Sequence, residues 1–267
     1  MIDTHAHVHA PAFDRDRPDV LRRAFDAGLH YLLEVNIDAG GWSRCHEVAA
    51  GDPRIFTTVG VHPHDTGGTT PEALEKLFPN LTDPKVRAVG ETGIDYFRDY
   101  APYDVQRACF TRQVAWARET GLPLVVHSRE KKDGPSAHAD VLRILEEEGR
   151  GKVRGVLHCF SGDLEVARRA AGLGFRLGIG GGASYRPKKT GPLLAAIAEE
   201  LGPEMFLLET DCPYQTPLPH RNERNEPAYI PEIARVLSGY LGLTVSEIER
   251  ITDASAIELF GFDAGRA

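Results

Sequence analysis

Short apolar, β-branched runs bounded by glycine, proline or polar clusters recur along this chain, about eight in all, and helix-period segments stand between them. They cover residues 1–8, 31–37, 55–62, 86–94, 123–128, 155–160, 175–180 and 206–211. The intervening segments each have one face to bury. In 104–119, Phe110, Val114 and Ala117 repeat at i, i+4 and i+7; in 164–172, Leu164, Ala167 and Ala171 repeat at i, i+3 and i+7. Gly121 followed by Pro123, and Gly172 with Gly174, supply helix stops ahead of the next strand. Thr244 with Glu247 three residues on forms a capping-box pattern that opens a last helix carrying Ile248 and Ile251. Strands alternating with helices must pair in parallel, because a parallel pair needs a crossover long enough to contain a helix.

The units fill the 267 residues evenly, with no composition shift, charge run, low-complexity tract or Pro/Gly-rich linker. That pattern favours one closed α/β barrel, a single domain over residues 1–267, and single barrels run to roughly 250 residues. At 42% hydrophobic and 26% charged the chain can bury a large core, which excludes disorder and a disulfide-stapled miniprotein. Lys and Arg number 31 against 39 Asp and Glu, a net charge of -8, the reverse of the basic footprint of a non-specific nucleic-acid binder. The opening MIDTHAH has neither a basic n-region nor an apolar h-region, and no membrane-length apolar run occurs, so the expectation is a cytoplasmic protein with no membrane partner. Cys45, Cys109, Cys159 and Cys212 stand far apart and read as reduced packing residues.

Function is signalled by where the ionisable residues fall. His5 and His7 end the first strand, His62 the third, His127 the fifth and Asp211 the eighth; Glu91 lies in the fourth and His158 in the sixth. In a barrel the C-terminal ends of all strands converge on one mouth, so these residues would share a pocket. Imidazoles and carboxylates gathered in one pocket make a metal site. His5 and His7, two apart on an extended backbone, face the same side and can share an ion. Cys159 and Cys212, each following a ligand-type residue, would then face the helix layer. His9, His30, His46 and His138 lie off the pattern and read as surface residues. Asp95 reads as a helix cap or as an acid that orients a ligand. The GIGGG run at 178–182 lacks the marks of a phosphate loop and reads as a tight strand-to-loop turn.

Taken together, DTHAH, GVHPHDT, GETGIDY, HSR at 127–129, HCFSG at 158–162, ETDCPY at 209–214 and RNEPAYIP at 224–231 resemble the TatD-like metal-dependent deoxyribonucleases of the amidohydrolase-type barrels. The resemblance spans nearly the whole chain. It implies a TIM-type (β/α)8 barrel with His5, His7, Glu91, His127, His158 and Asp211 as metal ligands, and Glu91 bridging where two ions are bound. Two segments depart from the family pattern, EKKDGPSAHAD after HSR and YQTPLPHRNERNEP after the last strand, and both flank the expected mouth.

The expected reaction is hydrolysis of DNA phosphodiester bonds by a metal-activated water, from the 3′ end of single strands. A bound metal brings the pKa of its water toward about 7. Asp211 is expected to accept the proton, with Glu91 as the second catalytic acid. Arg129, Arg221 and Arg224 are expected to bind phosphate, with His62, His64 and Asn225 adding hydrogen bonds. Four imidazoles and two carboxylates favour Zn, Mn, Co or Ni, while the resemblance also allows Mg. DNA is the expected partner and a monomer the default state. Competing readings are a small-molecule amidohydrolase or lactonase, which the absence of a lysine from 86–94 disfavours, and a D-aminoacyl-tRNA deacylase. A non-catalytic nucleic-acid module is disfavoured because no basic stripe interleaved with aromatics is visible.

Overall fold

A computed structural model of the chain describes residues 1–262. Eight strands, β1 (Ile2–Ala6), β2 (Tyr31–Glu34), β3 (Ile55–Val59), β4 (Val86–Asp95), β5 (Leu124–Arg129), β6 (Gly155–Leu157), β7 (Phe175–Ile179) and β8 (Phe206–Leu208), form one sheet in chain order. Every consecutive pair is parallel. The ring closes between β8 and β1 through a parallel bridge from Ala6 to Cys212 and bonds from Asp211 N to His5 O and His7 N to Cys212 O. A helix follows each strand: α1 (Arg17–Asp26), α2 (Trp42–Ala50), α3 (Pro71–Glu75), α4 (Tyr103–Thr120), α5 (Ala137–Gly149), α6 (Leu164–Gly172), α7 (Pro187–Leu201) and α8 (Ile230–Leu241); α9 (Val245–Phe260) is added after the eighth unit. This is a TIM-type (β/α)8 barrel. No described helix is both long and apolar enough to cross a membrane.

Local chemistry sets the boundaries. α4 stops where Gly121 takes the left-handed conformation at φ 74°, and α9 starts on a complete capping box between Thr244 and Glu247. Asp163 and Ser136 cap α6 and α5 through their side-chain oxygens.

Alternation along the strands sorts the core into two clusters. Leu124, Val126, Leu157, Phe206 and Leu208 pack outward with helix residues such as Val114, Leu145 and Ile233. Val125, Val156, Leu207, Leu33, Phe56 and Tyr31 point the other way, and with Leu259, Phe260 and Phe262 they form the floor of the barrel. Phe262 stacks on Tyr31 at 5.5 Å between ring centroids and lies 5.2 Å from Phe56. Burying side chains of this size contributes roughly 1.5–3 kcal/mol each.

Several observed strands are shorter than expected. β1, β3, β6 and β8 end before His7, His62, His158 and Asp211. These residues lie just past the regular strands while their N–H groups still bond to neighbouring strand ends, and they converge over the mouth, Asp211 at φ 56°.

Candidate metal centre

Two steps along one inward strand face lead from floor to site. Val125 precedes His127, Val156 precedes His158, and Leu207 precedes first Glu209 and then Asp211, so the apolar layer is overlaid directly by an ionisable one. β4 brings Glu91 to the same level. Next to it Gly93 lets β4 run against β5 at φ 137°: a Cβ there would stand 2.0 Å from His127 O, so no side chain fits.

The mouth holds seven ionisable groups in contact. His5 Nε2 lies 3.1 Å from His7 Nε2 and 3.3 Å from Glu91 Oε2. His7 Nε2 is 3.4 Å from Asp211 Oδ1 and 3.7 Å from Glu91 Oε2. The other oxygen of Glu91, Oε1, faces His127 Nδ1 at 3.1 Å, His62 Nε2 at 3.4 Å and His158 Nε2 at 3.8 Å. Donors about 2.1 Å from one tetrahedral ion stand roughly 3.4 Å apart, so this spacing matches atoms that would surround a cation. His5, His7 and Asp211 make one such group and His62, Glu91 and His127 another. The N/O donor set suits a divalent first-row metal.

Electrostatics point the same way. Burial opposes ionising Glu91, yet the charges of His62, His5 and His158 and the hydrogen bond of His127 hold its carboxyl well below the usual range. Asp211 is also buried, and the His7 hydrogen bond with the neighbouring imidazoles pulls it down to about 2. Burial pushes His5 and His62 down, which favours the neutral imidazole that a metal ligand must be. His7, His127 and His158 are different: burial again opposes the charge, but Asp211 and Glu91 raise His7 to about 9, Asp95 and Glu91 raise His127, and Cys159, Glu209 and Glu91 raise His158. His5 and His158 stack with centroids 3.5 Å apart, an arrangement unfavourable for two protonated rings.

A set of supporting residues surrounds these donors. Asp95 takes the second of its expected roles and caps no helix, since α4 starts only at Tyr103: Oδ1 accepts from the N–H groups of Phe97 and Arg98 in the turn after β4, each at 2.8 Å, and Oδ2 accepts from His127 Nε2 at 3.0 Å and His64 Nε2 at 2.8 Å. Glu209, which the sequence reading passed over, is fully buried with Oε1 3.1 Å from His158 Nδ1, an ion-pair distance that falls short of hydrogen-bond geometry. Its parity with Leu207 on β8 and with Asp211 beyond it is the sequence signal for it. Gly178 makes room for it, since a Cβ there would meet Glu209 Oε2 at 2.3 Å. His7 is fixed through Nδ1 to Val35 O at 2.8 Å, and Glu34 accepts from the N–H groups of Val8 and His9 at 2.9 Å each.

Three expectations are corrected. Cys159 does not face the helices: its backbone turns to φ 45°, breaking strand alternation, and its Sγ lies 3.7 Å from Asp211 Oδ2. His9 and His138 are buried, not surface residues, because His9 pairs with the buried Glu34 and His138 with Ser128 Oγ at 2.7 Å. Basic groups and aromatic rings do meet, with Arg129 and Arg98 against Phe97, although no stripe of them is visible in the sequence.

The expected phosphate ligands differ in their surroundings. Arg129 lies 4.1 Å over the Phe97 ring and Arg221 4.4 Å over Tyr185, and neither pairs with a carboxylate among the described residues. Arg224 is neutralised by Asp16 at 2.9 and 2.6 Å, which weakens it as a phosphate ligand. The amide of the buried Asn225 donates to Thr210 O at 2.8 Å and Tyr214 O at 2.5 Å, so it braces the loop after β8. His62 and His64 stand side by side at the site, 4.3 Å apart.

Comparison with known proteins agrees with this arrangement. The chain is 35% identical over 260 residues to the uncharacterized metal-dependent hydrolase YabD of Bacillus subtilis, covering 97% of this chain and 98% of the relative. It is 31% identical to the 3′-5′ ssDNA/RNA exonuclease TatD of Klebsiella pneumoniae, over 98% of each. The solved structure of the TatD homologue YjjV of Escherichia coli superposes with a TM-score of 0.89 at 28% identity over 98% of each chain. With the model of TatD related DNases matching residues 2–261 as well, the chain belongs to the TatD-related family of metal-dependent hydrolases.

Proposed function

We propose that this protein hydrolyses phosphodiester bonds at the 3′ end of single-stranded DNA, using two divalent cations held by His5, His7, Glu91, His127, His158 and Asp211. The carrying observation is the division of Glu91: one carboxylate oxygen faces His5 and His7 and the other faces His127, His62 and His158. When bound, the cations supply Lewis acidity toward a phosphoryl oxygen and make a water nucleophilic at neutral pH. The protein's own groups do the rest. Asp211 is ionised at neutral pH and can accept a proton, and Gln215 Nε2 fixes its Oδ2 by a 2.9 Å hydrogen bond. Asp95 and Glu209 hold the rings of His127 and His158 in place. Arg129 and Arg221 offer uncommitted guanidinium groups to the substrate phosphates.

The net charge of -8 disfavours an extended duplex, whose binding depends on many phosphate contacts, and favours strand ends. The Klebsiella relative's name supports the same polarity and extends the proposed substrate to RNA. The donor set selects Zn, Mn, Co or Ni ahead of Mg.

The test is to strip the protein with chelator, analyse the metals released, refill with each ion and follow nucleotide release from end-labelled single-stranded DNA. Lactones and aminoacyl-tRNA are run in parallel. Release restored by metal and confined to the nucleic acid is expected. Turnover of a lactone or of aminoacyl-tRNA in its place would overturn the assignment.

A further inference from the structure

Among the described residues the exposed large apolar side chains are Phe97, Tyr100, Val105, Tyr214 and Leu218, at 40%, 63%, 36%, 61% and 44% exposure. All five follow either β4 or β8. In a closed ring of eight strands in chain order, β4 and β8 lie diametrically opposite, so the two segments face each other across the mouth. Each comes up to the rim of the candidate metal centre from its own side. Tyr100 meets His64 edge-on with centroids 4.8 Å apart, and Tyr214 lies 6.3 Å from His7.

Positive charge is interleaved with these rings. The Arg129 guanidinium lies 4.1 Å and that of Arg98 5.6 Å from the Phe97 ring centre, and neither has a carboxylate partner among the described residues. Asp99, the acid of the same segment, is neutralised by Lys131 at 2.8 Å. On the far side Arg221 stacks on Tyr185. A chain of net charge -8 therefore presents its exposed rings together with free guanidinium groups around one opening.

We propose that the segments 97–100 and 214–218 are two opposed stacking jaws that hold unpaired nucleobases on either side of the scissile phosphate. This rests on the phosphodiesterase reading and names what that site grips. Every base has a π-face, so stacking on Phe97, Tyr100 and Tyr214 accepts any sequence, and the adjacent guanidiniums take the backbone phosphates. In a duplex the bases are already stacked and paired, so the jaws select single strands. A second copy of the chain fits this surface poorly: the apolar groups are divided between two sides of an opening and separated by charges, whereas a dimer needs one continuous face.

The experiment measures binding by the full-length, metal-loaded protein of a single-stranded oligonucleotide of about twelve nucleotides. The oligonucleotide has hydrolysis-resistant phosphorothioate linkages and 2-aminopurine near its 3′ end. Stacking should quench the 2-aminopurine fluorescence on binding. Phe97→Ala and Tyr214→Ala should each weaken binding about tenfold and diminish the quench, and Phe97→Trp should restore both. In turnover, the KM for oligonucleotides should rise in the alanine variants with kcat changed much less, so that discrimination against a small phosphodiester lacking a base falls. Unaltered oligonucleotide affinity in both alanine variants, equal affinity of the wild type for duplex, or wild-type dimers that become monomers in the variants would each overturn the proposal. Because binding is read without cleavage, failure of the jaws leaves wild-type turnover intact, and failure of the phosphodiesterase reading leaves the binding readout intact.

Discussion

The two ends of the barrel interior are made by the same strands and have opposite chemistry. The floor is Tyr31, Leu33, Phe56, Val125, Val156 and Leu207, closed by Leu259, Phe260 and Phe262. The mouth, two residues further along several of those strands, is imidazole and carboxylate, buried apart from the half-buried His127. Burying that many ionisable groups is unfavourable without partners, and here they face one another instead of water. The floor contributes hydrophobic stabilisation and no chemistry; the mouth concentrates chemistry. A step of two residues is enough to move from one regime to the other.

The contrast breaks most plainly if a mouth variant retains activity. Asp211→Asn should cost about a thousandfold or more in metal-dependent nucleotide release, because it removes both a donor and the proton acceptor, while circular dichroism shows the barrel intact. The reverse outcome is expected at the floor. Phe260→Ala should lower stability by about 3–5 kcal/mol in urea titrations and leave turnover per folded molecule unchanged. A loss of specific activity there would mean that the two ends are coupled.

Glu209→Gln sharpens the comparison, since Glu209 sits between the layers. Metal affinity measured by competition with a chelator should fall about 10- to 100-fold, with the floor undisturbed. The smallest effect concerns a carboxylate near the floor end. Asp52 is held below its ordinary pKa first by the hydrogen bond from Arg54, at 2.7 Å to Nη2. A carboxyl depressed in the folded state stabilises above its unfolded pKa, and that stabilisation is lost as pH falls through the folded value. Arg54 is largely exposed, so Asp52→Asn should cost less than about 1 kcal/mol at neutral pH and nothing in strong acid. Thermal melts of both proteins across that pH range check the sign.

Much of this was legible from spacing. The recurrence of apolar runs marks the eight strands, and the positions of His5, His7, Glu91, His127, His158 and Asp211 relative to strand ends place them at one mouth from the sequence alone. Misreadings arose where tertiary contacts override local pattern. Cys159 faces the site because a left-handed residue reverses the alternation there. His9 is buried by Glu34 on the next strand, 25 residues away, and His138, on α5, by Ser128 at the end of β5, contacts that a strand-parity reading does not contain. Glu209 was accessible to parity reasoning alone. The facing rings were not, since Tyr100 and Tyr214 come from opposite strands and meet around one opening only once the barrel has closed.

The same closure has a bearing on how the molecule is made. β1 takes hydrogen bonds from the segment after β8, and the N–H of Ile2 donates to Asp253 on α9 at 2.8 Å. A growing polypeptide therefore carries β1 with one lateral neighbour missing until the segment after β8 has been made, and without its Asp253 bond until α9 has been made. Pieces that stop short of that segment expose an unsatisfied strand edge, and a ribosome-bound chain stalled before β8 should be the species that chaperones and proteases recognise.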